Sequence, residues 1–444
     1  MPCVFTIKSG RQQLLSAACA AIIVTGPAIA ATENKHLGVA SCASSNCHGS
    51  ARPNTGTSIL QNEYFTWQRK DRHARAFETL RNEKSLRIAA KLGMANAAAA
   101  PECLSCHADA VPAAQRAKGH QLSDGVGCEV CHGGAERWLA PHTAGYKSDA
   151  DRRNAGLVPL WEAPVRARVC LSCHQGDAQR PMHHRLMGAG HPPLRFELDT
   201  YMSVMPPHHT IDADYVQRKG VQDGARNWLS GQAAAAELQL EHLAALPGQG
   251  SLFPELALFD CNACHHSLTV LRWEPGLAGT LAPGSLRIAD VPLRMLGIWL
   301  DVADPDLARR WRESLTALQR SVHEKQPALQ QRAQALRELL KGFVVPRLAI
   351  DKLESKPLEM LLRGLLREHR AGPAGADFSS AEQLVMASTV LFTVLSERGS
   401  VKLTPAFKTA LDSMYAAVAD RDRFQPADFR RAVTAAEAAL IKAR

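Results

Sequence analysis

The chain has 444 residues, enough for two or three domains, with 5% aromatic residues and a formal net charge of +9. After residue 30 no stretch reads as a transmembrane segment: Leu384 to Leu395 is largely apolar but only about one buried helix long. Composition therefore argues against a membrane bundle and leaves a predominantly soluble chain to explain.

Residues 1–30 predict a secretory signal peptide. Lys8 and Arg11 give the positive start, Leu14 to Val24 the apolar run, and Ala28-Ile29-Ala30 the small-residue cleavage site. The mature chain is expected to be exported to the periplasm.

Residues 31–58 are loop-like and contain Cys42-Ala-Ser-Ser-Asn-Cys47-His48. From about Ile59 to Met94 the apolar spacing (Leu60, Tyr64, Trp67, Phe77, Leu80, Leu86, Ile88) predicts a helix, ended by Gly93 and the alanines before Pro101. Residues 101–180 hold Cys103-Leu-Ser-Cys106-His107, Cys128-Glu-Val-Cys131-His132 and Cys170-Leu-Ser-Cys173-His174, with too few apolar side chains for an ordinary core. Short helices carrying each motif are expected there, and little else. Residues 181–210 interleave prolines with His183, His184, His191, His208 and His209, which suits holding an imidazole in place. A helix is predicted from Ala225 to Leu246, followed by Cys261-Asn-Ala-Cys264-His265.

Beyond Ser267 there is no cysteine, and only His323 and His369, which read as solvated helix residues. Helical patterning is predicted over 291–303, 305–324, 327–342, 357–370, 379–397, 405–420 and 427–443, with cap signals at Asp304-Pro305, Ser379-Ser380 and Thr404-Pro405. The predicted fold class is mainly α. A multihistidine, multicysteine domain spans 31–268 with little regular structure, and an all-helical domain of unassigned role spans 285–444.

Cysteine arithmetic fixes the chemistry. Of twelve cysteines, Cys3 and Cys19 lie in the signal segment and the other ten form five local pairs, each followed directly by His. With 18 histidines in the chain, that coincidence by chance is on the order of one in ten million. A disulfide framework does not require the histidines, zinc sites do not place one directly after each pair, and a thioredoxin-like motif would occur once. Cys-x-x-Cys-His is the attachment motif of haem c: the thiols bond the porphyrin and the histidine ligates iron. Five haems c are predicted, with His48, His107, His132, His174 and His265 as proximal ligands. The first site differs in having four residues between its cysteines. Five haems bring about −10 of propionate charge, so the basic balance supports no nucleic-acid partner. Glu129, inside the third motif, is expected to hydrogen-bond a ligand or propionate.

The run from Cys42 to His174 resembles the cytochrome c five-fifty-four family of tetrahaem electron carriers. The shared features are Trp67 with His73-Ala-Arg-Ala76, the Cys103 motif, the Gly125-Val-Gly-Cys-Glu-Val-Cys-His-Gly133 run, a lone His142, and the Cys170 motif. The resemblance implies His73 and His142 as distal ligands and an open axial position on the second iron, at His107, unless His120 closes it. His191 and His208 are candidate distal ligands for the fourth or fifth haem.

The sequence thus predicts a periplasmic multihaem cytochrome c passing electrons between redox partners, either other cytochromes or a quinol-linked membrane complex. The alternative is an oxidoreductase acting on a small nitrogen or sulfur oxyanion at a five-coordinate iron. The Cys-x-x-Cys-Lys motif of pentahaem nitrite reductases is missing, which favours the carrier.

Overall fold

The computed structural model describes residues 34–56, 59–220, 223–245, 255–261, 264–265, 285–324 and 326–442. The predicted signal peptide and His266 lie outside them. The described chain is mainly α-helical, and its β pairing is limited to isolated bridges, His36 with Arg116 and Phe259 with Ile288.

The predicted 59–94 helix is divided by its own polar residues. Helix Glu63–Lys70 stops at Asp71, whose extended backbone lets its carboxylate accept from the His73 amide and start a 3₁₀ turn, Arg72–Arg75. A short helix, Ala76–Thr79, follows, and Asn82 caps Glu83–Leu92 by accepting from the Ser85 amide. Gly93, at φ 74°, closes that helix in the left-handed conformation. Asp and Asn compete with helical hydrogen bonds in this way, and periodicity alone does not register it.

Four of the five cysteine motifs lie on helix or a tight turn of the same closure. They occupy helices Pro101–His107, Cys128–His132 and Ala163–His174, and at the fifth the His265 amide donates to the Cys261 carbonyl at 2.7 Å. The first has a different local form with the same closure: the His48 amide donates to the Cys42 carbonyl at 3.2 Å, and the extra residues loop out through a Cys47-to-Ser44 turn. The Gly125-Val-Gly run is shaped by close approach. Gly125 has φ 71°, and a Cβ there would stand 2.7 Å from the His73 carbonyl oxygen, which accepts from the Val126 amide at 3.0 Å. Trp67 Nε1 donates to the Val126 carbonyl at 3.0 Å, so the third motif is docked on the His73 segment.

Apolar packing in this half is sparse, confined to small clusters such as Phe77, Leu80, Ala97 and Leu104. The large core lies beyond it. Helices Val291–Ala303, Pro305–Arg320, Gln326–Leu339, Ser355–Ala371, Phe378–Glu397, Pro405–Ala417 and Pro426–Lys442 bury Trp299, Trp311, Phe378, Phe407 and Phe429 together. Phe378–Glu397 is long and apolar enough to cross a membrane, yet its apolar side chains are in this core. Asp304 and Thr404 cap their helices as the sequence predicts, but Asp377, not Ser379 or Ser380, caps Phe378–Glu397. The 326–339 helix runs into a π turn, Leu340–Val344, ahead of Pro346, which lacks the amide an α-helical continuation needs.

Helix Gly224–Ala244, assigned by sequence to the cysteine-bearing part, is buried on nearly every side. Trp228, Leu229, Leu240 and Leu243 enter the large core, while Ala234, Ala235 and Leu238 pack on Ala167 and Leu171 of the fourth motif helix. Residues 34–444 accordingly form one compact unit. His323 is exposed, but His369 is buried: its Nδ1 meets the Leu365 carbonyl at 2.8 Å and its Nε2 the Ser380 hydroxyl at 3.0 Å. The solvated reading of His369 is therefore corrected.

Candidate haem-ligand array

Four of the five motif histidines face a second imidazole at nearly constant spacing. Ring centres are 6.3 Å apart for His48 and His142, 6.5 Å for His107 and His191, 6.0 Å for His174 and His73, and 6.1 Å for His265 and His184. An iron between two imidazoles, each nitrogen about 2 Å from the metal, puts ring centres roughly 6 Å apart. The spacing alone is not diagnostic, because His36 and His120 stand 6.4 Å apart with no cysteine motif.

The ring nitrogens separate the cases. His48 Nδ1 pairs with Glu63 Oε2 at 3.0 Å, His73 Nδ1 with Asp71 Oδ1 at 2.9 Å, and His107 Nδ1 with the Ala76 carbonyl at 3.0 Å. His191 Nδ1 meets the Pro192 carbonyl at 2.8 Å, and His142 Nδ1 the Leu139 carbonyl. In each ring this leaves Nε2 for a metal, with the outer partner fixing the tautomer. His120 is reversed: its Nε2 lies 2.9 Å from the Asp109 carbonyl oxygen and 3.4 Å from Oδ2. His120 is thus engaged in a His36–Asp109–His120 cluster, and the imidazole that faces His107 is His191. His191, expected at the fourth or fifth haem, faces the second motif's histidine instead. His184, not singled out as a distal ligand in the sequence, faces the fifth motif.

Electrostatics divide the imidazoles into two groups, those that burial keeps neutral and those that a carboxylate partner favours as the protonated form. Burial pushes His132 and His174 down to about 4 and lowers His191. The Glu63 hydrogen bond raises His48, and the Asp71 hydrogen bond raises His73. Burial alone would lift Asp71, but hydrogen bonds from His208 and His73 hold it well below the carboxylate range. His208 Nε2 is 3.2 Å from Asp71 Oδ2. Among the described residues His132 has no imidazole at the ligand spacing. Positive charge on His208 acts on it most strongly, then His48, His209 and His142. Glu129 does not touch a ligand histidine. Buried to 3%, it accepts from the Leu37 amide at 2.8 Å, the Gly38 amide at 2.7 Å and the Ala135 amide at 2.7 Å, tying the third motif to the start of the unit.

The thiols set the order of the sites in space. Cys42 and Cys128 lie close enough to shift each other's ionisation, as do Cys106 and Cys173, while Cys131 lies within electrostatic reach of Cys170 and Cys173. Sites one and three, three and four, and two and four are therefore neighbours. His184 and His191 flank the short helix His184–Ala189, which brings sites two and five together. The carboxylates Glu63 and Asp71 were not singled out in the sequence. For Asp71 a signal exists in its position two residues before His73, while Glu63 lies fifteen residues beyond His48 and meets it only in three dimensions.

Haem c fits these groups: paired thiols, Nδ1 secured on five of the facing imidazoles, and a second imidazole opposite four of the five motif histidines. When bound it supplies one-electron iron chemistry. Residues 41–133, about a fifth of the chain, match the family model described as cytochrome c554 and c-prime. No curated protein and no solved structure matches the chain. The matched segment contains the first three motifs, His73 and the Gly125-Val-Gly run. Residues 41–133 are thus similar to the cytochrome c554 and c-prime family of c-type cytochromes, whose cofactor is haem c.

Proposed function

We propose that the chain is a pentahaem c-type cytochrome, exported to the periplasm, that carries electrons between redox proteins such as other cytochromes or a quinol-linked membrane complex. The observation that carries this reading is the set of four opposed histidine pairs at 6.0–6.5 Å. Iron held by two imidazoles has no position for a substrate and serves as a carrier. The five motifs supply the thiols, Glu63, Asp71 and the backbone carbonyls orient the rings, and the thiol contacts support the spatial order one, three, four, two, five. For the third iron, His48 and His142 already face each other, which leaves His209, or His208 through Nδ1 because its Nε2 stands 3.2 Å from Asp71 Oδ2, as the sixth ligand. His208 was a candidate for the fourth or fifth haem, but His73 and His184 occupy those faces. Export rests on the charged start and apolar run of residues 1–30.

The test is mass together with electron paramagnetic resonance of the oxidised protein. Five haems add roughly 3 kDa to the mature chain, and only low-spin signals are expected. A missing haem would remove the pentahaem assignment. A second reading rests on His132, the one motif histidine without an opposed ring among the described residues. If the third iron is open, a high-spin signal that shifts on adding nitrite or hydroxylamine replaces the carrier reading with an oxidoreductase one.

A further inference from the structure

We infer that Glu63 and Asp71 are positioning carboxylates that hold the first and fourth irons at lower potential than the second. The inference rests on the ligand pairs proposed above and concerns what stands behind them. Glu63 Oε2 accepts from His48 Nδ1 at 3.0 Å, and Asp71 Oδ1 from His73 Nδ1 at 2.9 Å. Among the described residues the second pair has no carboxylate at Nδ1: His107 and His191 donate to the carbonyls of Ala76 and Pro192. A carboxylate behind an imidazole draws its Nδ1 proton outward and makes Nε2 a stronger donor, which favours ferric over ferrous iron.

Charge acts in the same direction. Asp71 is 3% exposed, so its field acts through protein rather than water and stabilises the oxidised, more positive site. Its geometry is fixed from three sides: the His73 amide donates to Oδ1 at 3.0 Å, the His73 ring to the same oxygen, and Oδ2 lies 3.2 Å from His208 Nε2. Glu63 is held by the Gln61 amide, which donates to Oε1 at 3.1 Å. The first iron's other imidazole, His142, bonds a backbone carbonyl, so its carboxylate acts from the proximal side, whereas at the fourth iron it acts from the distal side.

Redox titration of the intact holoprotein, followed haem by haem by electron paramagnetic resonance, tests this. Glu63→Gln and Asp71→Asn keep shape and hydrogen-bonding capacity while removing charge, and Asp71→Glu restores the charge. Glu63→Gln is expected to shift the first haem's midpoint upward and leave the second unchanged. Asp71→Asn is expected to raise the fourth, with Asp71→Glu returning it toward the native value. Haem count and low-spin signals, measured first, decide the ligand assignment separately. With those intact, an unshifted midpoint in Glu63→Gln, or an equal shift at every haem in either variant, overturns the inference. If Asp71→Asn does not fold, Glu63→Gln decides it.

Discussion

Replacing His191 by Ala tests the corrected assignment of the second iron. The His107 and His191 rings are 6.5 Å apart and nearly perpendicular, at 83°. His120, the other histidine that could reach this region from between the motifs, has Nε2 engaged 2.9 Å from the Asp109 carbonyl and its side chain buried to 2%. Freeing it would break a buried hydrogen bond at about 1–3 kcal/mol, and its ring would have to turn out of the Asp109 cluster. No substitute ligand is therefore at hand, and one iron in five should become high-spin, so about a fifth of the low-spin intensity is lost. Quantitative electron paramagnetic resonance, with haem content checked by mass, reads this directly. Carbon monoxide binding to the reduced variant should rise to about one per chain. His120→Ala should leave every haem low-spin. A low-spin His191→Ala protein, or a high-spin His120→Ala protein, refutes the assignment.

Three further outcomes are expected. Asp377→Asn strips the buried charge that pairs with Arg287 and Arg294, each at 2.9 Å, and should cost about 3–5 kcal/mol in denaturant unfolding; a loss below about 1 kcal/mol would show the pair to be unimportant. Burial pushes His369 from its model-peptide 6.5 down to about 4, so the unfolded chain takes up a proton that the fold excludes. Stability from this residue is intact above pH 6.5 and falls by about 3 kcal/mol as pH drops to 4, and His369→Gln should flatten that part of the pH–stability curve. Chain produced without haem attachment should leave, on limited proteolysis, a resistant fragment beginning near Asp223, because helix Gly224–Ala244 belongs to the large core; a fragment beginning near 285 would contradict that packing.

What the sequence conveys and what it hides divide along local and non-local lines. Cap residues such as Asp304 and Thr404 act within three residues of their own position, so the C-terminal helices are legible to within a few residues. The attachment motifs are equally local, including the first, whose longer bridge keeps the same histidine-to-cysteine backbone closure. The break at Asp71 is local too, but it competes with a helical pattern that reads as continuous. The partner of each motif histidine is a different matter. His191 and His184 sit seven residues apart and serve different sites, a choice made by the turn around Gly190, at φ 119°, and by what packs beside it. No spacing rule contains that choice. His120 illustrates the converse: it lies between two motifs in sequence, and Asp109 takes its ligand nitrogen.

The same non-locality explains why the cysteine-bearing half has so little apolar core. His48 meets His142, His73 meets His174, His107 meets His191, and His184 meets His265, so each pair joins segments roughly eighty or more residues apart. Closing loops of that length costs conformational entropy that clusters the size of Phe77–Leu80–Leu104 cannot offset alone. A haem held at each pair would supply the missing apolar surface, with the two facing histidines as its ligands. Motifs adjacent in sequence need not then be adjacent in space: the second and third, separated by Gly125 and its turn, contact the fourth and the first through Cys106 and Cys128.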